Sequence, residues 1–388
     1  MLKQKFLRCA ALSFVLIAGA FFLRIPARGA ALEVSAQSAV VITADTGTVL
    51  FEKDAHTQRP MASTTKIMTA LLALEEAQRL GDPVVEITEE MVAVEGSSMG
   101  LLPGDRITLS NLAAGMLLAS GNDAANAVAL YLKGSLEAFA DEMNSRAREL
   151  GMENTHFVTP SGLDATSADS QKHHSTAYDM ALLAKEALQN QQFREICSST
   201  QRKVAFEEPA KQVSFTNHNK LLSLYPDCIG VKTGYTESAG RCLVSAAERD
   251  GTLLIAVTLD APDDWNDHAT LLDYGFSQVE SIPLEGEDVK VTLPVVGSQT
   301  PWVYARGSNG GNVSLPCGAS SQLERRVLVP KFLYAPVKAG EQIGEIRWYY
   351  QGVLVGTAPI TAEETALVEE RAPSFWERLF GKGTSKKE

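Results

Sequence analysis

Between residues 39 and 276 the strand-like segments stand at the two ends and the helical ones lie between them. Such an order requires a sheet whose strands come from opposite ends of the stretch. Residues 39–43 and 48–51 read as strands around the turn Asp45-Thr46-Gly47, an N-terminal hairpin. Helical periodicity covers 63–80, 109–133, 134–150 and 174–190, and strands return at 228–235, 241–249 and 252–259. The helices are expected on and beside that sheet. After Phe276 the pattern changes to short alternating apolar runs separated by Gly, Pro and Asn, which predicts a small all-β sandwich over 277–370.

At 388 residues with 45% hydrophobic and 21% charged side chains, the chain has room for two domains and is neither disordered nor a multi-pass membrane protein. The formal charge is −12, and residues 1–32 hold five bases and no acid, so the remainder stands at −17. A body this acidic repels phosphate backbones and is not expected to bind nucleic acid. Residues 1–31 read as an export signal: bases up to Arg8, an apolar run from Cys9 to Leu23, and small residues at Gly29-Ala30-Ala31. Cleavage is expected after Ala31 or Ala36. The alternative is an uncleaved anchor, for which the apolar run is short. At the other end, 371–388 places Phe375, Trp376, Leu379 and Phe380 on one helical side, with five bases against two acids, a pattern for peripheral membrane contact. A solvated tail is the competing reading.

Three short patterns carry chemistry, and each occurs once. Ser63-Thr64-Thr65-Lys66 opens an apolar helix, so Lys66 can reach the Ser63 hydroxyl one turn away. A serine hydroxyl is a weak nucleophile, and a lysine serves as its base only if burial and a second cation lower its pKa. Ser120-Gly121-Asn122 follows, and then Lys232-Thr233-Gly234 in a strand-like run. An edge strand of this kind can pair with an extended peptide, and Gly234 leaves room for the substrate backbone.

The order S-x-x-K, S-x-N, K-T-G resembles that of active-site-serine penicillin-binding proteins and class A β-lactamases. Further stretches, among them Gly96-Ser97-Ser98-Met99-Gly100-Leu101, Thr159-Pro160-Ser161-Gly162-Leu163 and Thr216-Asn217-His218-Asn219, make the sequence similar to low-molecular-mass penicillin-binding proteins that act as D-alanyl-D-alanine carboxypeptidases. The resemblance implies an α+β catalytic domain over 32–276, with an antiparallel sheet, helices on both faces and a helical subdomain. It implies that Ser63 is the acylated nucleophile, Lys66 its base and Ser120 a proton relay. Asn122 would hold the substrate amide, Lys232 would supply positive potential, and Thr233 would bond the terminal carboxylate. The backbone N–H groups of Ser63 and Tyr235 would form the oxyanion hole. The implied partners are peptidoglycan stem peptides ending in D-Ala-D-Ala and β-lactams, outside the cytoplasmic membrane and with no cofactor.

One departure stands out. The family pattern implies an arginine shortly before the stretch Leu271-Leu272-Asp273-Tyr274-Gly275-Phe276, yet the sequence there reads Asp263-Asp264-Trp265-Asn266-Asp267-His268. Carboxylate recognition must rest on Lys232, Thr233 and another base, with Arg202 and Arg241 as candidates. Two alternatives stay open. A β-lactamase would need a glutamate in an E-x-x-L-N stretch after Ser120, and residues 149–156 contain no such stretch. A penicillin sensor would acylate without turning over. Cys197, Cys228, Cys242 and Cys317 remain after export, and Cys228 and Cys242 either bridge their hairpin or stay free. The six histidines show no metal-ligand spacing, so no metal site is expected.

Overall fold

The computed structural model describes residues 32–369 except Asp169, so the predicted signal and tail lie outside the described residues. Five strands form one antiparallel sheet: β1 (Ser38–Thr43), β2 (Val49–Lys53), β3 (Cys228–Thr236), β4 (Gly240–Arg249) and β5 (Thr252–Leu259). Their order is β2-β1-β5-β4-β3, so the N-terminal hairpin joins the late strands through the β1–β5 pairing. β1 is buried at every position, as expected of a strand covered on both faces. Its alternation divides the load. Val40 and Ile42 enter the core beneath the helices, whereas Val41 faces Gly275 of the C-terminal helix of this region.

The apolar helix begins as a 3-10 turn, Ala62–Thr65, and continues as α1 (Lys66–Leu80), whose residues 66–74 are all buried. Gly81 at φ 77° ends it with a left-handed cap. The predicted helix over 109–133 is two helices, α2 (Leu109–Ala119) and α3 (Asn122–Lys133). The break falls at Ser120, which takes φ 59° and ψ 31°, a left-handed conformation that stops α2 and turns the chain into α3. Helices α4 (Leu136–Glu149) and α5 (Ala177–Ala187) follow. A hairpin of Gln201–Phe206 with Lys211–Thr216, and α6 (Asp264–Gln278), also belong to the region; neither stood out in the hydrophobic pattern.

Beyond α6 the described chain is β structure apart from one 3-10 turn, Ser320–Gln322. Six strands form one sheet, and Val279–Pro283 pairs with Asn312–Pro316 beside it. Val303, Ile346, Trp348 and Ile360 are the centre of a second apolar core. The Ser314 N–H bonds Asp45 Oδ2 at 2.6 Å, and its hydroxyl bonds Thr252 at 3.1 Å, so polar contacts tie this strand to the first sheet. Among the described residues no helix is long and apolar enough to cross a membrane.

Candidate active site

Ser63 sits in the 3-10 turn, on the wall of a cleft of about 880 Å³. The residue before it, Ala62, has φ 48°, a conformation that costs an alanine energy and is retained where the surrounding packing dictates it. Lys66 lies one turn on and is fully buried. Its Nζ donates to Ser63 Oγ at 2.9 Å and to the Ser161 carbonyl at 2.6 Å. Two fixed acceptors orient the amine.

The Ser161 carbonyl belongs to the loop 158–163, which is fastened to the start of α1 at several points. Thr69 Oγ1 donates to the Pro160 carbonyl at 2.6 Å. His173 Nδ1 accepts from the Val158 N–H at 2.9 Å, so its Nε2–H is the donor to Thr65 Oγ1 at 2.8 Å. Burial pushes His173 down to about 3, which keeps this bridge neutral. Gly162 closes the contact: its φ is +84°, and an added Cβ would lie 2.0 Å from the Ala62 carbonyl oxygen. Gly162→Ala is therefore expected to push the loop off α1 and slow acylation of Ser63 by more than about tenfold, through backbone strain and misdirection of Lys66. Acylation kinetics measured beside the melting temperature check this, and native kinetics in a folded variant would contradict it.

Ser120 and Asn122 occupy the α2–α3 turn. Ser120 lines the cleft, whereas Asn122 is buried and bonds outward, its N–H to the Ser97 carbonyl and its Nδ2 to the Glu95 carbonyl, both at 2.7 Å. That leaves Oδ1 for a substrate group. The next residue, Asp123, went unnoticed in the sequence. Its carboxylate accepts from the Ser98 hydroxyl and from the N–H groups of Met99, Gly100 and Leu101, which folds the 97–101 loop against this turn.

β3 is the outermost strand, so part of its backbone hydrogen-bonding capacity remains for an added strand. Thr233, Gly234 and Tyr235 line the cleft. A Cβ on Gly234 would stand 3.1 Å from the Met61 carbonyl oxygen and from the Ser63 and Thr64 nitrogens, so strand and nucleophile turn nearly touch. Lys232 is buried behind them and donates to the Thr233 carbonyl at 2.8 Å. Burial pushes its amine down to about 7. Lys66 is held well below its ordinary value, first by burial and then by the charge of Lys232, against the opposing pull of Asp123. A buried lysine whose amine is held well below its ordinary value and is bonded to a serine hydroxyl can, in its neutral form, take that hydroxyl's proton.

Of the eight residues singled out in the sequence, five line the cleft, and Lys66, Asn122 and Lys232 lie buried. His218, Asn219, Arg241 and Trp265 also line it. Asn219 carries a buried Nδ2 with no hydrogen-bond partner. Arg202 lies elsewhere, in a surface depression with Gln78, Asp82 and Glu195. The four cysteines among the described residues are free. Cys228 is paired in register with Ala247, and Cys242 with Gly234, so they stand too far apart along the hairpin to bridge.

Ser63, Ser120 and the edge of β3 therefore line one cleft, with Lys66 bonded to Ser63 from behind, and comparison with known proteins gives the arrangement a family. The sequence profile described as D-alanyl-D-alanine carboxypeptidase matches residues 26–263. The chain belongs to the D-alanyl-D-alanine carboxypeptidase family. A second profile, the C-terminal domain of penicillin-binding protein 5, matches residues 285–366. D-alanyl-D-alanine carboxypeptidase DacF of Bacillus subtilis is 33% identical over 85% of this chain and 85% of its own length. DacC of Escherichia coli is 33% identical over 87% and 85%. The crystal structure of the carboxypeptidase DacD from Francisella tularensis superposes with a TM-score of 0.60 at 27% identity, covering 91% of this chain and 98% of that one. The expected α+β catalytic fold and the all-β C-terminal domain thus stand, as does the serine carboxypeptidase activity.

Proposed function

We propose that this D-alanyl-D-alanine carboxypeptidase trims the terminal D-alanine from peptidoglycan stem peptides through an ester on Ser63, and that β-lactams, on ring opening, acylate the same oxygen. The 2.9 Å contact of Lys66 Nζ with Ser63 Oγ carries the proposal. Neutral Lys66 takes the hydroxyl proton as Oγ attacks the penultimate D-Ala carbonyl. The N–H groups of Ser63 and Tyr235 hold the oxyanion, which such a pair stabilises by several kcal/mol. Ser120 passes the proton to the departing D-alanine nitrogen and the C–N bond breaks. Water then attacks the ester and gives a proton to Lys66, the bond from the acyl carbon to Ser63 Oγ breaks, Lys66 returns the proton to Oγ and the shortened peptide leaves. Asn122 and the edge of β3 hold the peptide extended, and Lys232 and Thr233 attract its terminal carboxylate.

The reading places the enzyme outside the cytoplasmic membrane, because residues 1–31 have the pattern of an export signal and the curated relatives share the activity. Cleavage after Ala31 is favoured over cleavage after Ala36. Ser35 and Ala36 bond the Asp267 carboxylate through both backbone N–H groups and the Ser35 hydroxyl, at 2.7–2.9 Å. The residues 277–370 would form the second domain, and the tail 371–388 would bring the acidic body back to a membrane surface. Incubating the chain with diacetyl-lysyl-D-Ala-D-Ala and with a fluorescent penicillin tests the chemistry. Free D-alanine and a slowly hydrolysing adduct on Ser63 are expected. A stable adduct with no D-alanine would point to a sensor, and rapid penicillin hydrolysis to a β-lactamase.

A further inference from the structure

A carboxypeptidase must recognise a free C-terminal carboxylate, and α6, where the family pattern implies an arginine, carries neither lysine nor arginine in any of its turns. The cleft nevertheless contains an arginine from another element. Arg241 stands on β4 directly opposite Tyr235 of β3, and directly opposed residues share a face of the sheet. Thr233, two residues before Tyr235, is on that face too. Thr233, Tyr235 and Arg241 line the same cleft as Ser63.

The arginine is held rather than free. Nη2 donates to both oxygens of Asp264, at 2.8 and 2.9 Å, and the guanidinium carbon stands 5.5 Å from the centre of the Trp265 ring. Exposure is unequal: the Asp264 side chain is 4% exposed and that of Arg241 42%. The acid therefore lies beneath and the base is presented, with Nε and Nη1 left for a ligand. A long side chain fixed in this way loses less freedom on binding an anion. A guanidinium fork also matches the geometry of a carboxylate better than an ammonium does.

We propose that Arg241, with Thr233, binds the substrate's terminal carboxylate, and that Asp264 and Trp265 are its positioning residues. The sheet supplies the base that the family pattern implies near the helix, and the helix supplies the acid that holds it. The proposal rests on the carboxypeptidase activity, and its test separates the two.

The measurement is kcat/KM for diacetyl-lysyl-D-Ala-D-Ala and for its C-terminal amide. The native enzyme is expected to prefer the acid by about 10- to 100-fold, the range of one or two charge-assisted hydrogen bonds. Arg241→Gln is expected to lose that preference by slowing the acid alone, Arg241→Lys to keep part of it, and Arg202→Ala, outside the cleft, to behave as native. Asp264→Asn is expected to raise KM for the acid several-fold and leave the amide unchanged, and it tests the assignment should Arg241→Gln not fold. A native preference in Arg241→Gln, or an equal loss on both peptides, overturns the proposal. No D-alanine from either peptide with the native enzyme would overturn the activity and the proposal together.

Discussion

Ser63→Ala is expected to abolish D-alanine release, by about 10⁴-fold or more, and to leave no covalent penicillin adduct, because residues acting as one catalytic unit lose nearly everything when the nucleophile goes. The fold should survive. Lys66 keeps the Ser161 carbonyl as an acceptor, and the lost atom removes one hydrogen bond from a turn that keeps the bonds of Thr64 to the Met61 carbonyl and of Thr65 to His173. The melting temperature should therefore stay within a few degrees of native, and the substrate should still bind. Intact-mass spectrometry after penicillin exposure, with D-alanine quantified in parallel, provides the readout. The cleft holds a second hydroxyl candidate, Ser120. An adduct that persists in Ser63→Ala and disappears in Ser120→Ala would move the nucleophile there.

Replacement of Lys66 separates charge from basicity. Lys66→Met and Lys66→Arg are both expected to slow acylation by about 10³-fold, within the span usual for losing a general base. Arginine matters because it supplies a cation of similar length that does not deprotonate at any working pH, so it can support a purely electrostatic role but not proton transfer. The sign of the pH dependence follows from the direction of the shift. Acylation requires neutral Lys66, so the native rate falls as pH drops through its depressed pKa, and that limb should vanish in Lys66→Met. Lys232, pushed down to about 7, loses its charge as pH rises through that value, and with it part of the attraction for an anionic substrate. An alkaline decline carried by KM is expected, and Lys232→Arg should move it upward. Near-native acylation by Lys66→Arg would mean that positive charge, not proton transfer, is what this position supplies.

The chemistry was legible where residue type and spacing both matter. A hydroxyl and an amine one helical turn apart, and a glycine where a strand meets a serine turn, can be read without coordinates. The supporting parts leave little trace. The Ser161 carbonyl that orients Lys66 is a backbone group, which any residue supplies. His173 and Asp123 hold loops through N–H groups far from them in sequence. The left-handed Ser120 split a run that is apolar enough for one helix, since a strained φ has no hydrophobic signature. Arg241 and Arg202 were equal candidates because only the β3–β4 register places one in the cleft that Ser63 lines.

The loop 158–163 has one more consequence. Its bonds to α1 join residues 95 and 91 positions apart, and the His173 link to Thr65 spans 108. Gly234, which nearly touches the Ser63 turn, comes later still. No early portion of the chain can assemble a reactive serine, because its base is aimed by segments that emerge long after it. The chain is thus expected to be chemically silent until it is folded, and the fraction of a preparation that a penicillin labels is expected to count its native molecules.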